Sequence, residues 1–380
     1  MHLDFKNLTL GPSMGRIYLI LSLLSLLMSS TLQAQTDSVK KASSSTPLLG
    51  LESGLSFIIP HSTAIASISS YYPLLFQLSY SKLHTSQKAW EACYCTPKTG
   101  LIGGFHHYRN RQLLGTGSSL MGFVEPYFGF HRKLFWGFRL ATGPVYLSAV
   151  YDSISNPDNL FFSARLSLLM QVGLSMGLRI SQRSSVTVGV FYNHISNGGL
   201  KEPNKGMNYP AIQVGLQHML NPAPEFLQYE RRRSWKNEKP ITWALSLLYT
   251  SRATGDIYEK RLPVYGLDAA VHWRHGFLAE MRGGVEWVAD EKRSAQAQKE
   301  GWSLSPHHAG VHVGEYLMAG KFSLGLAMGV YVWQRNPFTD PVYQRYQLGY
   351  RPFKFLQLSV SLRAHRSVAD FADLRCSILF

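Results

Sequence analysis

Cysteine is nearly missing from this chain. Cys93, Cys95 and Cys376 are the only three in 380 residues, too few for a disulfide framework. Cys93 and Cys95 flank one Tyr and have no second pair to complete a four-thiolate metal site, so they read as ordinary residues or a local bridge. Charged residues are also scarce, at 16%, and acid is the scarcer sign: 23 Asp and Glu against 38 Lys and Arg leave a formal charge of +15. In an exported protein such an imbalance favours phosphorylated lipid head groups as partners, and not nucleic acid. Long apolar runs are absent apart from Ile17 to Met28, which excludes a bundle of membrane helices. No internal repeat is evident.

What the chain has in quantity is aromatic residues (13%, with 20 Tyr) and 32 Gly, at a mean hydropathy of −0.08. That mixture suits strands that alternate apolar and polar positions. In KFSLGLAMGVYVW, Phe322, Leu324, Leu326, Met328, Val330 and Val332 alternate with small residues. In KFLQLSVSLR, Leu356, Leu358, Val360 and Leu362 alternate with Gln357, Ser359, Ser361 and Arg363. Sixteen such runs of roughly 9 to 14 residues occur between residue 50 and the end, the length of a tilted membrane-crossing strand. Segments 84–98 and 160–180 are the least regular.

The expected fold is therefore all-β: a transmembrane antiparallel β-barrel of the outer membrane with about 14 to 16 strands. It is expected to be single and closed, because an open sheet edge is not tolerated in lipid. The run Ile17 to Met28, preceded by Arg16 and followed by SSTLQAQ, has the layout of a secretory signal, with cleavage expected after Ala34. The first 13 residues read as an extended n-region or as an upstream start that is not used. The domain reading is a signal at 1–34, a polar leader at 35–47, strands carrying the site at 48–220, a basic linker at 221–240 and a second group of strands at 241–380. Short connectors alternate with longer ones, and the longer set, including 198–206, is assigned to the outer side. A last strand ending in Phe380 resembles the assembly signal of bacterial outer-membrane barrels.

The chemistry gathers at FYNHISNGGLKEPNKGMN, residues 191–208. Side chains alternate along a strand, so Val186, Val188, Val190, Tyr192, His194 and Ser196 share one face. The next run places Asn208, Pro210, Ile212, Val214 and Leu216 on one face, and antiparallel pairing brings Asn208 near His194 and Ser196. Ester hydrolysis needs a hydroxyl, a base, a group holding that base in one tautomer and donors for the oxyanion. Ser196, His194, Asn208 and the amides around Asn197 and Gly198 can fill those roles in that order.

This stretch resembles the signature of PagL-type lipid A 3-O-deacylases, a His-x-Ser-Asn followed by a Pro-Asn-x-Gly loop, here ending in Asn204 and Gly206. The wider region from Gly50 to Leu220, with IIPHS, WEACYCTPKTG and YDSISNPDN, is similar to the longer acyloxyacyl hydrolase-like members. The resemblance implies His194 as base, Ser196 as nucleophile and Asn197 as an oxyanion donor. Its third member is a Glu, where this chain has Asn208; outer-membrane phospholipase A enzymes are similar in using His, Ser and Asn. A neutral carboxamide fixes a tautomer without neutralising the imidazolium, so lower activity, or assistance from Glu202, is expected.

The function implied is hydrolysis of an acyl ester of lipid A in lipopolysaccharide at the outer leaflet, with no cofactor and no metal. The alternatives are a phospholipase A-like hydrolase, which would bring a Ca2+ requirement, and a non-catalytic channel or structural barrel whose sixteen strands enclose water. Nothing in the sequence sets the oligomeric state. His106–His107 and His307–His308 lack a carboxylate or Cys at ligand spacing and read as rim histidines. Asn156, Pro157 and Asn159 read as turn residues near the site. Lys201, Lys205, Arg109, Arg111, Arg252 and Arg261 read as loop cations able to meet lipid phosphates.

Overall fold

A computed structural model describes residues 45–198, 201–221, 240–253, 260–333, 340–366 and 368–380. The expected signal (1–34), most of the leader and all but the ends of the 221–240 linker lie outside the described residues. Ser45 to Pro47, assigned to the leader, already belong to the first strand.

Alternation of apolar and polar positions produces sixteen strands among the described residues. The first eight are β1 (Ser45–Ser56), β2 (Leu74–His84), β3 (Thr96–His107), β4 (Thr116–Phe128), β5 (Leu134–Leu147), β6 (Leu166–Arg179), β7 (Ser184–Ser196) and β8 (Met207–Met219). The second eight are β9 (Ile241–Ala253), β10 (Arg261–Arg274), β11 (Ala279–Asp290), β12 (His307–Ala319), β13 (Phe322–Trp333), β14 (Val342–Phe353), β15 (Leu356–His365) and β16 (Val368–Leu379). The irregular stretch 84–98 contains a short helix, α1 (Gln87–Cys93), ending beside a Cys93–Cys95 disulfide. A second helix, α2 (Glu291–Lys299), follows β11 with Asp290 as its N-cap. No helix among the described residues is long and apolar enough to cross a membrane.

The strands do not make the single cylinder expected from their number. They close as two eight-stranded antiparallel barrels, β1–β8 and β9–β16. In the first, β1 pairs with β8 (Leu51 opposite Leu216); in the second, β16 pairs with β9 (Cys376 opposite Leu247). Eight strands leave an interior just wide enough for side chains, and polar residues fill both. In the first barrel Arg139, 2% exposed, meets Glu52 at 2.6 Å and Glu125 at 3.1 Å, while Lys98 meets Glu125 at 2.7 Å. In the second, Arg345 and Arg363 both bond Glu286, and Arg345 and Arg375 bond Asp268. Buried charges so paired satisfy one another's hydrogen-bonding needs away from water. The sixteen-strand lumen that the channel reading required is thus replaced by two filled interiors.

The outward faces carry exposed apolar residues such as Leu174, Val188, Leu216, Leu247, Leu326 and Val360, the pattern of a surface set in hydrocarbon. The barrels touch at the short-turn end: the Tyr94 ring stacks on Phe277 at 3.8 Å, and the Gly320 N–H donates to the Ala92 carbonyl at 3.1 Å. The rim-histidine assignment changes too. Alternation turns His106 into the first barrel, fully buried against Ser119 and Tyr209, and His308 into the second. Over the site end of the first barrel, segments 57–73, 108–115 and 148–165 pack an apolar plug that includes Ile58, Ile65, Leu114, Phe161, Phe162, Ile195 and Met207.

Candidate active site

The β7–β8 ladder sets the site. His194 lies directly opposite Asn208, and Ile195 opposite Met207 is the last pair before the chain leaves for the 197–206 loop. Ile195 and Met207 point inward and are fully buried in the apolar plug. The period of two therefore turns His194, Ser196 and Asn208 outward, where all three are half-buried. On the other side of β7, Met170 and Leu168 of β6 pair with His194 and Ser196. Both are exposed, as is Tyr192. Polar groups at the strand end are thus flanked by an apolar surface that continues down the barrel wall.

The His194 Nδ1 lies 2.6 Å from the Asn208 Oδ1, a short hydrogen bond. Nδ1 must carry the proton, because an amide oxygen can only accept. The Nε2 lone pair is left available as a base. At Ser196, two donors converge on Oγ, each at 3.0 Å: the Asn204 Nδ2 and the Gly198 N–H. Donors aimed at that oxygen favour negative charge as it loses its proton. Gly198 and Gly206 hold positive φ values of 68° and 70°, a conformation glycine adopts without strain. At Gly206 the need is double, because a Cβ there would lie 3.2 Å from His194 Cε1 and 3.1 Å from the Ile195 carbonyl. The glycine lets the loop close over the imidazole.

Asn197, expected to be an oxyanion donor, is bonded to neighbouring loop residues in this structure. Its side chain turns inward, 5% exposed, and donates to Ser163 Oγ at 2.9 Å and to the Lys201 carbonyl at 2.7 Å. Its backbone N–H donates to Asn204 Oδ1. Asn197 thus ties the loop to segment 148–165, and the donors at Ser196 come from Asn204 and Gly198. The same segment gives the Leu160 and Phe161 carbonyls to the Lys205 and Gly206 amides. Asn156 and Asn159 brace it by donating to the Leu113 carbonyl. Glu202, considered as an aid to His194, accepts from the Asn204 amide instead.

Two contacts had no local signal in the sequence. Ser163 anchors Asn197 from the preceding hairpin. His61, in the segment after β1, contacts Asn208 Nδ2 through Nδ1 at 3.2 Å and the Lys205 carbonyl through Nε2 at 2.8 Å. Among the loop cations, Lys201, Lys205, Arg109 and Arg111 are exposed. Arg252 is not: it lies at the mouth of the second barrel, bonded to Asp290 and Asp370. Among the described residues no group of three or more His, Cys, Asp or Glu converges as a metal site.

Two family models match the chain. A family model described as lipid A 3-O-deacylase (PagL) matches residues 75–217, within the first barrel and spanning His194, Ser196 and Asn208. One described as the acyloxyacyl hydrolase C-terminal domain matches residues 241–380, the second barrel. Among solved structures, the outer-membrane enzyme PagL is 15% identical, covering 44% of this chain and 97% of its own, with a TM-score of 0.32. Neisserial surface protein A is 11% identical over 47% and 99%, with a TM-score of 0.30. A variant of the Rh. blastica porin is 8% identical over 88% and 100%, with a TM-score of 0.22. No curated protein matches the chain.

Proposed function

The chain belongs to the PagL family of outer-membrane β-barrel proteins, and from that membership we propose that it is an ester hydrolase releasing an acyl chain from lipid A. In this reading the acyl chains lie along the apolar wall beside Leu168, Met170 and Tyr192, and the ester meets the polar strand end. Ser196 Oγ attacks the ester carbonyl as His194 Nε2 takes its proton. The tetrahedral intermediate collapses, the sugar oxygen leaves with the proton from His194, and an acyl-serine remains. Water, deprotonated by the same Nε2, then releases the fatty acid and restores Ser196. Asn208 holds the Nδ1 proton throughout. Gly198 N–H and Asn204 Nδ2, both bonded to Ser196 Oγ, stabilise the charge that oxygen develops as it is deprotonated.

One observation carries the proposal: the 2.6 Å His194–Asn208 bond with Ser196 two residues along on the same outward face. The test is the lipid A mass profile of outer membranes holding the wild-type protein or Ser196→Ala. Wild type should show loss of one acyl chain and the variant none; identical profiles would remove the esterase reading. The uncharged third member favours a second reading, a phospholipase A-like enzyme acting on glycerophospholipids. Release of lysophospholipid that stops on Ca2+ chelation would select it, whereas lipid A deacylation unaffected by chelation supports the first.

A further inference from the structure

We propose that His61 is a positioning residue that fixes the amide orientation of Asn208 and, through it, the tautomer of His194; the catalytic part of this rests on the esterase reading above. The inference follows from donor and acceptor identities along four groups. The Lys205 carbonyl can only accept, so the His61 Nε2 that lies 2.8 Å from it carries a proton. The His61 Nδ1 of a neutral ring is then bare and can only accept. The Asn208 atom facing it at 3.2 Å must be the donor, Nδ2. Nδ2 on that side leaves Oδ1 on the other, 2.6 Å from His194 Nδ1, which must be protonated. The proton is thereby excluded from Nε2, where a general base needs a lone pair.

Among the described residues, His61 is the side chain that meets the Asn208 Nδ2. A carboxylate offers two equivalent acceptors and cannot face the wrong way; a carboxamide can. Rotated by half a turn, Asn208 would present Nδ2 to His194, Nδ1 would accept, and the proton would sit on Nε2. An Asn in this position therefore needs a partner that distinguishes its two ends. His61 is placed to do so by barrel closure. The chain past β1 continues along β8, with the Ile59 N–H donating to the Asn208 carbonyl at 2.8 Å, and so carries His61 to Asn208 across 147 positions of sequence.

Two measurements on the full-length protein test the proposal. The first is steady-state deacylation of lipid A, with folding checked by the heat-dependent shift of barrels on electrophoresis. His61→Ala should lower kcat about 5- to 100-fold, the range for losing one hydrogen bond in a partly buried site, with KM little changed. In an Asn208→Asp background, where no amide can rotate, the same substitution should change kcat less than about twofold. An unchanged kcat in His61→Ala, or an equal fractional loss in both backgrounds, overturns the proposal in favour of loop packing alone. The second is nitrogen NMR of 15N-histidine-labelled protein in detergent, which needs no turnover. Wild-type His194 should show a protonated Nδ1, and His61→Ala a mixture of tautomers; a single unchanged tautomer also overturns it. If wild type leaves lipid A intact, the esterase reading fails and the tautomer measurement still decides the role of His61.

Discussion

Replacing Gly206 by Ala tests whether the loop is fitted to the imidazole. The substitution adds one methyl at a residue with φ of 70°, where an L side chain is disfavoured by roughly 1–2 kcal/mol. Gly198, at φ 68°, carries the same backbone penalty, yet a Cβ there would have nothing within 4 Å. The two glycines therefore separate strain from contact. At Gly206 the methyl would sit 3.2 Å from His194 Cε1, with the Ile195 carbonyl at 3.1 Å on its other side. The carbonyl belongs to a buried residue of the β7 ladder, so the ring must yield by a few tenths of an ångström. That movement works against the 2.6 Å bond to Asn208 and misplaces Nε2. Losing part of a hydrogen bond and its alignment is worth about 1–2 kcal/mol in the transition state, or roughly 5- to 30-fold in kcat. Gly206→Ala should therefore lose kcat by that factor relative to wild type, while Gly198→Ala, with the same backbone penalty, matches it in loop stability and both remain heat-modifiable barrels. The assay is the rate of acyl release from lipid A, read by mass spectrometry, with limited proteolysis reporting loop stability. A wild-type rate in Gly206→Ala would refute the idea that this loop is closed against His194.

Asn208→Ala removes the acceptor for His194 Nδ1 and should lower kcat about 10- to 100-fold; a wild-type rate would take Asn208 out of the site. Arg139→Met leaves Glu52 and Glu125 without the guanidinium they share, and should destabilise the barrel by about 3–5 kcal/mol. Urea unfolding in detergent measures it, and an unshifted midpoint would show that the network holds no such weight. Because the first barrel closes through its own β1–β8 ladder, a chain ended after residue 221 and refolded into detergent should still show a heat-dependent mobility shift. Complete failure to fold would make the second barrel a structural requirement.

Strand content was legible because it depends on local alternation. Each run of apolar and polar positions, such as Leu356 to Arg363, states its own faces, and the glycine-containing turns mark its ends. The outward turn of His194 and Ser196 was legible for the same reason, being set by parity with Val186, Val188 and Val190. Pairing of His194 with Asn208 needed only neighbouring strands of a hairpin. Alternation, however, carries no information on how many strands share a ring. The polar residues that fill the first interior, Glu52, Lys98, Glu125 and Arg139, come from β1, β3, β4 and β5. Their mutual pairing is visible only when those strands face one another.

The sequence by itself determined that this protein is a set of antiparallel membrane strands with a Ser, a His and an Asn on one outward edge, since period-two patterning and hairpin adjacency are local properties. Tertiary structure alone decided that sixteen strands close as two barrels, that Asn197 turns inward to Ser163, and that His61 arrives at Asn208. Those outcomes depend on which distant strands complete each ring, and ring closure is a condition on the whole ladder that no short stretch of chain can express.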